Sequence, residues 1–317
     1  MIYAVWLPLL VPFLAGPVGH RLAACLPPRQ AAWLLTVAAA GLALGSSVAL
    51  ALLVVPGATH LRVVAVLGRL LTPLRTGSPD AVVAVAVVAA ALLAWSVARL
   101  VRGANRRWAQ VRRAGRLAAH AHGELVVLDE PGPDAYALPG SPGRIVVTTG
   151  MLHALSAAER EALFAHERAH LRERHHLFAA VVDLAALCHP ALRALREPLA
   201  YALERSADEA AARATGDRGL TARAIGRAAL AARAAGTPGP ARPAFALAAT
   251  AGPVPRRVAA LLGRPVEAAP APRTRTARRL TAAALLACLV LSGAAALDAA
   301  RDLHAGIEAA QGESAGK

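Results

Sequence analysis

The sequence predicts a mainly α-helical integral membrane protein, with four transmembrane helices and a cytoplasmic α+β domain carrying a small β-sheet. Three observations lead there. The chain is 56% hydrophobic but only 3% aromatic, so its apolar content is Ala, Leu and Val, which suits membrane helices better than a tightly packed soluble core. That content is gathered into long uncharged runs. Beside those runs stand arginine clusters, which supply almost all of a net charge of +15.

The first run, 1–19, has no charge and is followed by His20 and Arg21. A cleavable signal peptide carries its positive charge before the apolar stretch, so this run reads as an uncleaved membrane helix with its N-terminus outside. The second run, 31–55, is long enough to cross with some tilt. The third, 81–98, has Trp95 near its end as an interfacial anchor, and a fourth spans 280–297. Arg99, Arg102, Arg106, Arg107, Arg112, Arg113 and Arg116 follow the third run with no acid among them, which holds that end in the cytoplasm. Arg273, Arg275, Arg278 and Arg279 precede the fourth run, and the tail 298–317 is net acidic and therefore external. Arg62, Arg69 and Arg75 in the loop 56–80 run against this orientation. The domain plan is thus three crossings within 1–101, a cytoplasmic domain over 102–216, a basic segment over 217–279, the fourth crossing and a short external tail. The run 177–192 is too short and too interrupted by Asp183, His189 and Pro190 to cross, and reads as a helix at the membrane surface.

Charge and cysteine content exclude other classes. Cys25, Cys188 and Cys288 are odd in number and far apart, which gives neither a disulfide framework nor a Cys-x-x-Cys metal site. No aromatic residues interleave with the arginines, so nucleic acid is not an expected partner; membrane lipid is.

Within the cytoplasmic domain, 124–129 (ELVVLD) and 144–149 (RIVVTT) are β-branched runs bounded by Gly and Pro, and read as strands. The link 131–143 cannot be helical. An edge strand just before the next helix would offer its backbone to an extended peptide; a plain hairpin explains the same residues equally well. Ser156 and Glu159 then form a capping box, which starts a helix at about residue 157. That helix carries His166-Glu167-Arg168-Ala169-His170, the H-E-x-x-H pattern. Residues four apart share a helix face, so both imidazoles can reach one metal ion, with Glu167 beside its open position as a general base.

A zinc site of two histidines needs one more protein ligand. The helix opened by Pro198 and closed by Gly216 carries Glu204 and Asp208, again four apart. Glu197, Glu209, Asp183 and His189 compete with Glu204 on spacing alone. Candidates for stabilising an oxyanion are Tyr201, His153, His175 and His189.

The HERAH helix followed by Glu204-x-x-x-Asp208, with the preceding stretch 135–152 (AYALPGSPGRIVVTTGML), resembles the gluzincin-type membrane metallopeptidases over residues 135–216. Two groups are similar: the heat-shock and CAAX-prenyl-type endopeptidases, and the antirepressor-type transmembrane peptidases of beta-lactam sensing. The resemblance implies a zincin-like domain in which His166, His170 and Glu204 ligate Zn2+, Glu167 is the catalytic base and Asp208 the supporting acid. It further implies an edge-strand segment within 135–152, a multi-pass location in a bacterial plasma membrane and a protein or peptide substrate. Three helices before the zinc domain and one after favour the antirepressor type, whose substrate is a cytoplasmic transcriptional repressor. The external sensor domain of the receptor members has no counterpart in the residues after 297. The competing expectations are a housekeeping quality-control protease and a non-catalytic membrane scaffold with a remnant zinc site.

In the basic segment, 221–235 (TARAIGRAALAARAA) and 254–262 (VPRRVAALL) read as short amphipathic helices, lying on anionic lipid or forming part of a solvated linker.

Overall fold

A computed structural model describes residues 4–60, 78–119, 123–235, 253–263 and 272–312. The first apolar run becomes α1 (Leu7–Cys25), broken by a 3-10 turn at Val11–Leu14. The break follows from Pro12, which has no N–H to offer the carbonyl of Pro8 one turn back. A buried hydroxyl answers that carbonyl instead: Ser46 Oγ lies 2.8 Å from Pro8 O and 2.9 Å from its own helix's Leu42 O. His189 Nε2 reaches Leu9 O at 3.1 Å in the same way. In an apolar setting an unanswered carbonyl is expensive, so these contacts permit the proline-bent helix.

Ser46 belongs to α2 (Pro28–Ala58), opened by a proline in its first turn. The third helix, α3 (Pro79–Ala119), runs unbroken for 41 residues, about 60 Å at 1.5 Å per residue. It does not stop where the arginines begin, so one rod joins the third apolar run to the domain that follows. Helices α2 and α3 touch where a Cβ on Gly57 would stand only 2.2 Å from that of Ala86, a crossing that requires glycine. Three described stretches, Leu7–Cys25, Pro28–Ala58 and Asp80–Arg113, are long and apolar enough to cross a membrane. Against the four crossings expected from sequence, the described residues give three candidates. The expected crossing 280–297 falls on the last helix, Pro272–Gly312, where many side chains lie outside the described residues.

The sheet departs from the expected hairpin. Strands β1 (Leu125–Leu128) and β3 (Arg144–Thr148) are parallel, with Val126 opposite Val146. Parallel neighbours need a crossover. The crossing chain, expected not to be helical, contributes β2 (Ala135–Leu138), antiparallel to β3 with Tyr136 opposite Val146. The order is β1-β3-β2. The strand at 144–148 is therefore central, and the edge beside the H-E-x-x-H helix is β2.

Six helices complete the domain, the first two of which pack on the sheet. They are α4 (Thr149–Ala154), α5 (Ala157–Arg172), α6 (His175–Cys188), α7 (Arg196–Thr215), α8 (Arg218–Ala234) and α9 (Val254–Leu262), and α10 (Pro272–Gly312) follows. Val147, Met151, Leu155, Leu163 and Ala228 form one core between sheet and helices.

The run 177–192, expected as a helix at the membrane surface, forms α6 over its first part. It packs on α2 and α3, and Val182, Ala185 and Ala186 join Leu22, Leu35, Leu195 and Leu199 in one continuous core. Its one acid, Asp183, sits between two cations: it pairs with Arg107 of α3 and, at 2.6 Å, with Arg196 at the start of α7. The apolar helices and the helices of the domain are thus one packed body. Helices α8 and α9 correct the expectation of a solvated linker: α8 packs on α5 and α7, and α9 closes over α7 and α8. Asp217 caps α8, accepting from Leu220 N at 2.8 Å.

Candidate metal centre

Helix α5 begins as its first residues dictate. Ser156 N donates to Glu159 Oε2 at 2.9 Å, and Glu159 N approaches Ser156 Oγ at 3.4 Å, completing the capping box. Arg227 of α8 also donates to Glu159 Oε2, at 2.9 Å. Burial works against charge on Glu159, but the bonds from Ser156 and Arg227 outweigh it and lower its pKa. Two and a half turns on, His166, Glu167 and His170 face inward and are buried.

Helix α7 lies against α5 and ends at Gly216, whose φ of 69° suits glycine. It presents Glu204, with Oε2 3.5 Å from His166 Nε2 and Oε1 3.5 Å from His170 Nε2. The two Nε2 atoms are themselves 3.1 Å apart. One donor atom from each of the three residues falls within 4.8 Å of the others, a set that can hold a metal ion. One turn further on, Asp208 Oδ1 lies 3.0 Å from His166 Nδ1, so a carboxylate faces the imidazole's outer nitrogen while its inner one faces Glu204 and His170.

The competing third ligands are engaged elsewhere. Glu209 binds Arg205 at 3.2 Å, Asp183 is paired as described, His189 faces Leu9 O and Glu197 is exposed. Among the oxyanion candidates, His175 is taken up by His170, and the Tyr201 ring lies 4.5 Å beneath the Arg256 guanidinium. His153 is exposed on α4.

Sequence reasoning missed Arg257. Its guanidinium is buried, with Nη1 2.8 Å from Glu204 Oε2, Nη2 2.6 Å from Asp208 Oδ1 and Nε 2.9 Å from Asp208 Oδ2. A signal was present: Arg257 is three residues after Val254 and four before Leu261, on the apolar face of its helix. An arginine on that face needs a buried acid, and the Glu204–Asp208 pair supplies two.

The electrostatics divide the two histidines. Burial disfavours charge on His166, but Asp208 and Glu204 outweigh it and raise its pKa to about 9. His170 is driven well below its ordinary value, by burial first and then by His166, His175 and Arg257. Glu167 is raised to about 7, chiefly by burial, with the Ala137 backbone amide of β2 working the other way. No donor of regular geometry satisfies the Glu167 or Glu204 carboxylate oxygens, although both are buried. Glu204 already faces the Arg257 guanidinium, but buried carboxylates without a bond of regular geometry are expected where an ion belongs, and two imidazoles with one carboxylate are the donor set that zinc takes. The residues fit zinc.

A parallel–antiparallel sheet beside a helix bearing H-E-x-x-H, with a carboxylate from a second helix, supports a zincin-type metallopeptidase domain. The comparisons agree: the model of Peptidase family M48 matches residues 104–192, which supports a metallopeptidase function. That match includes β1 to α6 and the H-E-x-x-H helix but ends before Glu204, Asp208 and Arg257. No curated protein and no solved structure matches the chain.

Proposed function

We propose that this chain is a membrane-embedded zinc endopeptidase whose catalytic domain faces the cytoplasm. The observation that carries the reading is the convergence of His166, His170 and Glu204 on one point, with donor atoms within 4.8 Å and Glu167 alongside. His166, His170 and Glu204 would hold Zn2+, which when bound polarises a peptide carbonyl and acidifies water. Glu167, one residue from the first ligand, takes the proton from the attacking water and returns it to the leaving amine. Asp208 keeps the His166 proton on Nδ1 and so leaves Nε2 to the metal. The backbone of β2, at the sheet edge over the site, orients an extended peptide by strand addition.

The orientation follows from the arginines after 98 and before 280, which stay on the cytoplasmic side. With the zinc domain between the third and fourth apolar runs, the substrate is a cytoplasmic or membrane protein. The antirepressor-type arrangement favours a regulatory substrate such as a transcriptional repressor over bulk quality control. The test is purification in detergent with measured zinc content, followed by cleavage of an unfolded protein by wild type and by Glu167→Ala. Equal cleavage by the two overturns the reading; bound zinc with cleavage lost in the variant supports it.

A further inference from the structure

The outer nitrogen of His166 meets a carboxylate, but that of His170 does not. It faces a third imidazole: His170 Nδ1 and His175 Nδ1 are 2.9 Å apart. His175 is buried, and its Nε2 lies 3.2 Å from Glu173 Oε2, which also accepts from Ser206 Oγ of α7 at 3.1 Å. We infer that His175 is a positioning residue for the metal centre, fixing the tautomer and ring plane of His170 through a His170–His175–Glu173 chain anchored by Ser206. The inference rests on the zinc reading of His166, His170 and Glu204.

Proton placement along the chain is determined end to end. A metal at His170 Nε2 leaves the proton on Nδ1, which donates to His175 Nδ1. That nitrogen must then be an acceptor, so the His175 proton sits on Nε2 and is donated to Glu173. An ionised Glu173 is an acceptor only. Its pKa is lowered, by the His175 bond above all, with burial opposing and Ser206 and Arg29 assisting. Every hydrogen bond therefore points outward from the metal ligand to a carboxylate, so His175 relays the same kind of support that Asp208 gives His166 directly.

The backbone is shaped to place that imidazole. On a continuous α-helix, the residue five positions on from His170 points about 140° away around the axis. The two rings meet because α5 ends at Arg172 and Arg174 takes a left-handed conformation, with φ of 52°. That region is unfavourable for a residue with a Cβ, and it recurs where function fixes a conformation. The outer end of the chain is reachable: Glu173 and His175 line a cavity of 160 Å³ with Arg29, Trp33, Arg172 and Phe178.

The full-length protein in detergent tests this by competition of Zn2+ with a chelator, and by the visible absorption of the Co2+-substituted form. His175→Leu should weaken zinc binding by about 10- to 100-fold and alter the Co2+ spectrum. His175→Gln, which keeps an acceptor near the same place, should recover most of that loss. Glu173→Ala, at a half-buried position, should weaken binding in the same direction by a smaller factor. A folded His175→Leu or Glu173→Ala with wild-type zinc affinity and an unchanged Co2+ spectrum overturns the inference while leaving the zinc reading intact. A wild type that binds no zinc overturns both.

Discussion

Arg257 grips Asp208 through two bonds, Nε to Oδ2 at 2.9 Å and Nη2 to Oδ1 at 2.6 Å, in a site closed to solvent. Its third nitrogen reaches Glu204, so one cation from α9 sets the positions of both acids on α7. Helix α9 is short, and this contact ties it to the metal centre.

Removing that cation leaves two buried carboxylates facing each other. Arg257→Ala should therefore destabilise the fold by about 3–5 kcal/mol, the range for breaking one side of a buried ion pair. Arg257→Lys keeps the charge but not the fork, and should fall between the two. Thermal unfolding in detergent, followed by helical circular dichroism, checks the order wild type, lysine, alanine.

Glu167 takes part in no structural bond of regular geometry, so Glu167→Gln should unfold at the wild-type temperature and bind zinc normally. Its peptidase rate should drop by about 10² to 10⁴, the usual contribution of a general base. Peptide turnover alongside zinc stoichiometry measures both.

Zinc must displace the His166 proton. With the folded pKa raised to about 9, that proton stabilises the metal-free fold fully below the ordinary value of 6.5, and the contribution is lost as pH rises through about 9. Zinc affinity should accordingly fall by about tenfold for each pH unit below 9. Chelator competition across neutral pH tests the slope. In Asp208→Asn, which lacks the charge that raises His166, the slope should flatten.

Acid sensitivity should appear at the capping box. Glu159 has a lowered pKa, so its contribution is present above its ordinary value of 4.5 and lost as pH falls through the folded value. Ser156→Ala should cost about 1 kcal/mol near neutral pH, as N-cap removals do. Glu159→Gln should lose the acid-dependent part alone, which a comparison of melting temperatures down the acid range would show.

Local physics was legible wherever a residue's role depends on near neighbours in the chain. Ser156 and Glu159 start a helix three residues apart, Gly216 ends one, and His166 with His170 or Glu204 with Asp208 share a face because 3.6 residues make a turn. Those spacings lie within one element, so the chain order alone specifies them. The resemblance then singled out Glu204 from its competitors, and in the structure Glu204 alone of them meets the histidine pair, while Asp183 and Glu209 pair with arginines away from it.

What the sequence by itself determined is therefore the apolar runs, the start and end of the helices at the candidate site and the pairs of residues on each of their faces. Only the tertiary structure decided that β2 is the edge strand, that α6 packs among the apolar helices, and that Arg257 and His175 join the metal centre. The reason is one of distance along the chain. A guanidinium 49 residues beyond Asp208 meets it only when α9 folds back, and His175 meets His170 only because Arg174 turns the backbone left-handed. Neither contact repeats at a helical or strand period, so the place of Arg257 on an apolar face signals a buried acid without naming which one.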